Sequence, residues 1–328
     1  MTRVATIVLS FVLLVGCAPA IQHAARPLAG FSGPRLERDA FTSFDGTRLG
    51  LSQWSPAGGE PTAVVIGMHG MNDWAQSFWI AAPWWAQHGI ATIAYDQRGF
   101  GRSPNAGVWA DPDVMTRDLA TLCALVRARF SHSTIAVVGE SMGGAVAIEA
   151  FASARPPDAD RLVLLAPAIW GWSEQPLFNR IAVWLGGHVF ADKPFDPPAV
   201  VTGHIWASDN RVELFRMGRD PRLVAATRPD AVYGLMGLMD RASRDIARVR
   251  VPVFYAYGAH DQLIPRGPSF RAAGRLKPTD RTAYYPHGWH ILLRDYAAAT
   301  VWGDTESFIH EPGAPLPSGA APIPHPSR

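Results

Sequence analysis

The chain has 328 residues, 48% of them hydrophobic and 18% charged, with a formal net charge of +2. This is enough apolar material to bury one large core, with or without an inserted cap, and it excludes disorder over most of the length. The near-neutral balance, with no dense Lys/Arg stripe interleaved with aromatics, excludes nucleic acid as an expected partner.

In chain order, Arg3 precedes the apolar run Val4–Val15, which has the length of a secretory signal core and is too short to span a bilayer as a helix. Leu14-Val15-Gly16-Cys17 resembles the bacterial lipoprotein cleavage box. That resemblance implies removal of residues 1–16 and acylation of Cys17, so the chain is expected as an exported, membrane-anchored lipoprotein of the cell envelope. Each buried acyl methylene contributes about 0.8 kcal/mol to such an anchor. Ala18 stands where an Asp would favour the inner membrane, which leans the expectation to the outer membrane where one exists. Residues 17–34, rich in Ala, Pro and Gly, read as a tether.

The globular region is expected over residues 35–310. Ala40–Phe44 and Leu49–Trp54 flank Asp45-Gly46, a hairpin signal. Apolar runs at Ala63–Met68, Ala91–Tyr95, Thr134–Val138, Arg161–Ala166 and Val251–Tyr257 suit a parallel sheet buried on both faces. Helical patterns at Gln76–His88, Pro112–Phe130 and Met142–Ala154 separate them, and Thr282–Tyr285 and Leu292–Ile309 read as the last strand and helix. The alternation predicts an α/β fold. The 168–248 connection is far longer than a crossover and rich in aromatics, so it reads as an inserted helical lid. Cys123 falls on the apolar side of a helix and reads as a small buried hydrophobe; with Cys17 acylated, no disulfide is expected. Residues 311–328 carry six prolines and read as a disordered tail.

The most informative stretch is Gly139-Glu140-Ser141-Met142-Gly143-Gly144. It places Gly-x-Ser-x-Gly between a strand and a helix, where a sharp turn exposes the serine and a Cβ on either glycine would crowd its neighbours. Ser141 is therefore the candidate nucleophile. A serine hydroxyl needs a base, and the base an orienting acid; in this arrangement they follow in the order Ser, acid, His. Asp261 lies just past the Val251–Tyr257 strand and is the candidate acid. His287 and His290 both lie in the loop after the last strand, and either can serve as base. His260 precedes Asp261 and reads as a neighbouring support. Two aimed N–H groups should hold an oxyanion. Met142 supplies one and the Met68-His69-Gly70-Met71 loop the other, with His69 supporting that loop. His69, Asp73, His260 and His287 form no tight ligand pattern, so no metal or other cofactor is expected.

Asp96-Gln97-Arg98-Gly99-Phe100-Gly101-Arg102-Ser103 resembles the Asp-x-Arg-Gly-x-Gly-x-Ser loop of α/β-hydrolases. With His69-Gly70, Gly139–Gly144, Gly258–Pro265 and His287–Asp295, the chain resembles the monoacylglycerol lipase and lysophospholipase branch from about Phe41 to Ile309. The resemblance implies an α/β-hydrolase fold, a mostly parallel sheet with flanking helices and a lid, with nucleophile Ser141, acid Asp261, base His290 and oxyanion donors Met71 and Met142. His290 rather than His287 is implied because Ile291-Leu292-Leu293-Arg294-Asp295 follows it. The implied activity is hydrolysis of a lysophospholipid or monoacylglycerol ester through an acyl-enzyme, by a monomer meeting a lipid-like substrate. Competing readings are an esterase, thioesterase or acyltransferase with the same residues, or a silent lipid-binding lipoprotein. Asn72-Asp73-Trp74 departs from the branch, several of whose lipases carry a second histidine there.

Overall fold

The computed structural model describes residues 18–195 and 204–324. Cys17 and the expected signal segment 1–16 lie outside the described residues, as do residues 196–203 of the insertion and the last four of the tail. The strands are β1 (Arg35–Leu36), β2 (Ala40–Thr42), β3 (Arg48–Trp54), β4 (Ala63–Met68), β5 (Ile90–Tyr95), β6 (Thr134–Glu140), β7 (Arg161–Leu165), β8 (Val253–Gly258) and β9 (Arg281–Tyr285). They form one open sheet in the order β1-β2-β3-β5-β4-β6-β7-β8-β9. Every pair from β5 to β9 in that order is parallel, and the three pairs at the β1 end are antiparallel.

The central strands are apolar because both faces are covered. All six residues of β4 are buried between β5 and β6. Helix α1 (Ala81–Gln87) and the last helix, Ala298–His310, cover one face with Trp85, Val301 and Phe308. Helices α2 (Pro112–Arg129) and α3 (Met142–Ala152) cover the other with Leu119, Leu122, Val126 and Ile148. Each such side chain contributes roughly 1.5–3 kcal/mol by leaving water. The ends of α2 show how local chemistry sets an element. Asp111 caps it by accepting the Asp113 N–H at 2.9 Å, Pro112 opens its first turn, and Arg127 and Arg129 complement its carboxyl end. Cys123 is fully buried here, and burial raises its thiol pKa.

Four expectations need correction. The Gln76–His88 helix is split into a 3-10 turn at Ala75–Phe78 and α1. The break puts Pro83 in the first turn of α1, where a missing N–H leaves no bond unmade. The last helix begins at Ala298 rather than Leu292, because residues 291–297 form turns whose Arg294 and Asp295 side chains are committed elsewhere. The tail is not disordered through residue 324. The Tyr284 N–H donates to Ala321 O at 2.8 Å, the Ile323 N–H to Thr282 Oγ1 at 3.1 Å, and Ser318 Oγ bonds Asp304 at 2.5 Å. The outer edge of β9 would otherwise present unpaired backbone groups. The tether, too, is docked over part of its length. Gln22 makes backbone bonds to Trp109 and Asp111, and the Ala25 N–H donates to Asp45.

Between β7 and β8 the chain carries α4 (Leu177–Val189), α5 (Arg211–Met217) and α6 (Pro229–Asp245). Helix α6 packs on α3 and α4, and so joins the insertion to the core. Among the described residues no helix is long and apolar enough to cross a membrane.

Candidate active site

Strand β6 ends at Glu140 and α3 starts at Met142, so Ser141 alone makes the turn. Its backbone sits at φ 52°, ψ −117°, a left-handed conformation that costs about 1–3 kcal/mol for a non-glycine residue. The glycines around it permit this. A Cβ on Gly139 would lie 2.7 Å from Gly144 Cα, and one on Gly143 would overlap the Met68 carbonyl. The backbone of Ser141 is fully tied. Its N–H donates to Leu165 O at 3.0 Å, and its carbonyl accepts from Ala145 and Ala168.

Two strands across the sheet, the turn after β8 carries Asp261. Its Oδ1 accepts the N–H groups of Leu263 and Ile264 at 2.8 and 2.9 Å, and its Oδ2 accepts His290 Nδ1–H at 2.8 Å. Both side chains are buried. This bond separates His290 from His287, which is exposed. Burial disfavours the imidazolium of His290, but the Asp261 carboxylate and its hydrogen bond override it, with help from Glu140 and Asp295, and the pKa is raised on balance. His260 stacks on Trp289 at 5.3 Å beside this loop.

The loop after β4 lies against Ser141. A Cβ added to Gly70 would lie 3.3 Å from Ser141 Cβ and 3.9 Å from Ser141 Oγ. His69 anchors it: Nδ1–H donates to Gly70 O at 2.7 Å while Nε2 accepts the Gln97 N–H at 2.9 Å. Those roles require a neutral ring, and burial lowers the His69 pKa accordingly. Among the described residues the Met71 N–H donates to no protein acceptor. Met142 opens α3, where an N–H has no intrahelical partner. Two unspent donors are thus carried by the residues that follow Gly70 and Ser141 in the chain.

Behind this arrangement lies a buried ionic cluster that sequence reasoning missed. Arg294 Nη2 lies 2.7 Å from Asp73 Oδ2 and 2.9 Å from Glu140 Oε2, and Arg294 Nη1 lies 3.7 Å from Glu213 of α5. One guanidinium thus joins the Gly70 loop, the residue before Ser141, the His290 loop and the insertion. Burial pushes the Glu140 carboxyl upward despite Arg294. Asp295 accepts Ser208 Oγ–H at 2.6 Å and the Trp289 N–H at 2.7 Å, and burial pushes its pKa up to about 7. Glu140 at the end of a largely apolar strand was the available signal, but its partner is 154 residues away. Among the described residues no group of three or more His, Cys, Asp or Glu side chains could hold a metal ion.

A family model described as serine aminopeptidase, S33, matches residues 59–297, which spans the sheet from β4, the insertion and every residue above. The chain belongs to this family. As an S33 hydrolase it has the α/β-hydrolase fold. It superimposes on a soluble variant of the Saccharomyces cerevisiae monoglyceride lipase with a TM-score of 0.68 at 16% identity, over 88% of this chain and 98% of that one. In sequence it is 25% identical to a monoglyceride lipase of Rattus norvegicus over 275 residues, covering 81% of this chain and 86% of the relative. It is also 25% identical to a non-heme chloroperoxidase of Streptomyces lividans, over 75% of this chain and 92% of the relative. Within the α/β-hydrolases the S33 hydrolase is thus similar in sequence to monoglyceride lipases as well as to that chloroperoxidase.

Proposed function

We propose that this S33 hydrolase cleaves acyl esters of the monoacylglycerol or lysophospholipid type through an acyl-enzyme. The observation that carries the reading is Ser141, strained at the β6–α3 turn, with free N–H groups beside it and the His290–Asp261 pair at the same sheet edge. His290 takes the Ser141 proton as the oxygen attacks the ester carbonyl. Asp261 stabilises the imidazolium, and the N–H groups of Met71 and Met142 receive the oxyanion. The imidazolium then protonates the departing alcohol. Water, deprotonated by His290, releases the acid.

Two observations favour a lipid-like substrate. Helix α4 leaves Leu177 67% and Phe178 79% exposed, with Ile181, Trp184 and Leu185 also open to solvent. The insertion also holds an open apolar pocket of about 590 Å³ lined by Val183, Phe190, Phe195 and Val232, none of them beside Ser141 in the chain or among the proposed catalytic residues. The Leu14–Cys17 box supports an anchor that would keep the enzyme at a membrane, beside such substrates.

The test is to treat the full chain in detergent with a fluorophosphonate, alongside Ser141→Ala, and read intact mass. One adduct on the wild type and none on the variant is expected. No adduct on a folded wild type would overturn the reading. Turnover of monoacylglycerols, lysophospholipids, short esters and aminoacyl amides then fixes the substrate class, with alcohol acceptors added to separate transfer from hydrolysis. Preference for the amides would replace the ester reading with peptide chemistry.

A further inference from the structure

The turn that presents Met71 is held from three sides. On the core side, His69 is bonded to Gln97. On the His290 side, Asp73 is bonded to Arg294. The third side is the insertion, and there the contact is made by Asn72, one residue after the N–H in question. Asn72 has φ 64°, and the Asp73 N–H closes the turn on Gly70 O at 3.3 Å. A turn with positive φ at its third position takes glycine or asparagine. A glycine would satisfy the backbone equally well, so the side chain is free to serve another end. Its Nδ2–H donates to Thr227 Oγ1 at 2.7 Å, and the main-chain carbonyl of Asn72 accepts the Val224 N–H at 3.0 Å. Thr227 is itself fixed within the insertion, its carbonyl accepting the Phe195 N–H at 2.9 Å. Beside this pair, Trp74 Nε1–H donates to Asp220 at 2.9 Å.

We infer that Asn72 and Thr227 are positioning residues that set the Met71 N–H from the insertion, so that docking of residues 224–227 completes the oxyanion site. The inference rests on the reading of Met71 as an oxyanion donor given above. The physical basis is leverage. The Met71 N–H lies one residue from a turn position whose main-chain carbonyl and side-chain NH2 are both spent on the insertion. Displacing 224–227 removes both bonds and leaves the turn held only at Gly70 and Asp73. Such a site passes from competent to weakened without any change in Ser141, His290 or Asp261. The insertion then controls the rate of the chemical step as well as shaping the space above it.

The experiment uses the full chain in detergent, a soluble short-chain ester and four variants: Thr227→Val, Asn72→Gly, the two combined, and Thr227→Ser. Thr227→Val keeps the shape and deletes the hydroxyl; Asn72→Gly keeps the backbone conformation and deletes the amide. Each is expected to lower kcat by about 10- to 100-fold, the range expected for a misplaced donor, with KM within twofold. The combined variant should fall no further than the worse single one, because both remove one contact. Thr227→Ser should restore kcat. The rate of fluorophosphonate labelling should fall in step with kcat, since phosphonylation develops charge in the same place. Either single variant decides the question if the other fails to fold. Labelled variants with kcat within twofold of wild type, losses confined to KM, or losses that multiply would each overturn the clamp and leave the hydrolase reading standing. A wild type that takes no label would overturn both.

Discussion

Replacing Arg294 with methionine should destabilise the protein in a pH-dependent way. The substitution keeps an unbranched chain of similar length and removes the one cation between Asp73 at 2.7 Å and Glu140 at 2.9 Å, with Glu213 close by. All four side chains are buried. Removing one partner of a buried ion pair costs about 3–5 kcal/mol, because the other charge stays behind unpaired. Out of a total stability of about 5–15 kcal/mol that is a large fraction. Burial already raises the Glu140 pKa with Arg294 present, and without the guanidinium it rises further. A carboxyl whose folded pKa exceeds its unfolded one binds more protons in the folded state, so stability falls as pH rises through that interval. The loss should therefore be at least about 1 kcal/mol smaller at pH 5 than at pH 8, because a tenfold change in a group's proton affinity corresponds to about 1.4 kcal/mol. Urea unfolding followed by tryptophan fluorescence measures it. Arg294→Lys should fall between, since an ammonium holds charge without forking to two carboxylates. A cycle with Glu140→Gln should give a coupling of about 0.5–3 kcal/mol. A loss under about 1 kcal/mol at both pH values, or a larger loss at pH 5, would refute this account.

Three further outcomes follow from the same geometry. On the proposed mechanism His290 serves as base only when neutral, and its pKa is raised, so the acid limb of kcat/KM should lie above pH 6.5; Asp261→Asn should move it down and lower kcat by about 10⁴-fold, as the analogous change does in Ser-His-Asp proteases. Burial raises the Asp295 carboxyl from an ordinary value of 3.8 to about 7, so its ionisation should weaken the fold by about 3 kcal/mol as pH rises from 4 to 7. Denaturation midpoints of Asp295→Asn should diverge from wild type across that window, and parallel curves would contradict the assignment. Deleting residues 313–328 uncovers the β9 edge and the Ile323 site, which should cost about 1–3 kcal/mol and promote self-association visible by light scattering.

The sheet was legible because its strands are buried on both faces and therefore read as apolar runs at β4, β5, β6 and β8. Gly139, Gly143 and Gly144 were legible around Ser141 because a sharp turn against a helix leaves no room for a Cβ. The His287–His290 choice was not legible from the residues alone. Three positions separate the two, and what distinguishes them is the Asp261 Oδ2 that only one reaches. Arg294 was invisible for a related reason. Its partners Asp73 and Glu140 lie 221 and 154 residues away, and no local pattern records a long-range ion pair. The tail misled in the opposite direction. Proline-rich composition argues against helix and strand, yet Pro322 and Pro324 flank Ile323 without preventing its N–H from reaching Thr282. The Tyr284–Ala321 bridge, the Ile323 and Ser318 hydrogen bonds and one buried isoleucine together hold residues through 324, a segment that has no periodicity of its own.

The strain at Ser141 makes a prediction that separates folding from chemistry. In an ordinary helix or strand, glycine is less stable than alanine by about 0.5–1 kcal/mol, because the unfolded glycine chain has more freedom to lose. At φ 52°, ψ −117° the comparison inverts: alanine carries the same Cβ clash as serine, and glycine does not. Both variants remove the hydroxyl and both should be inactive. The backbone bonds to Leu165, Ala145 and Ala168 survive in each. Ser141→Gly should therefore unfold at higher denaturant than Ser141→Ala, by about 1 kcal/mol, with Ser141→Ala close to wild type. If the alanine variant proves the more stable, the turn is not strained in solution, and the serine is held by its neighbours' packing rather than against its own backbone preference.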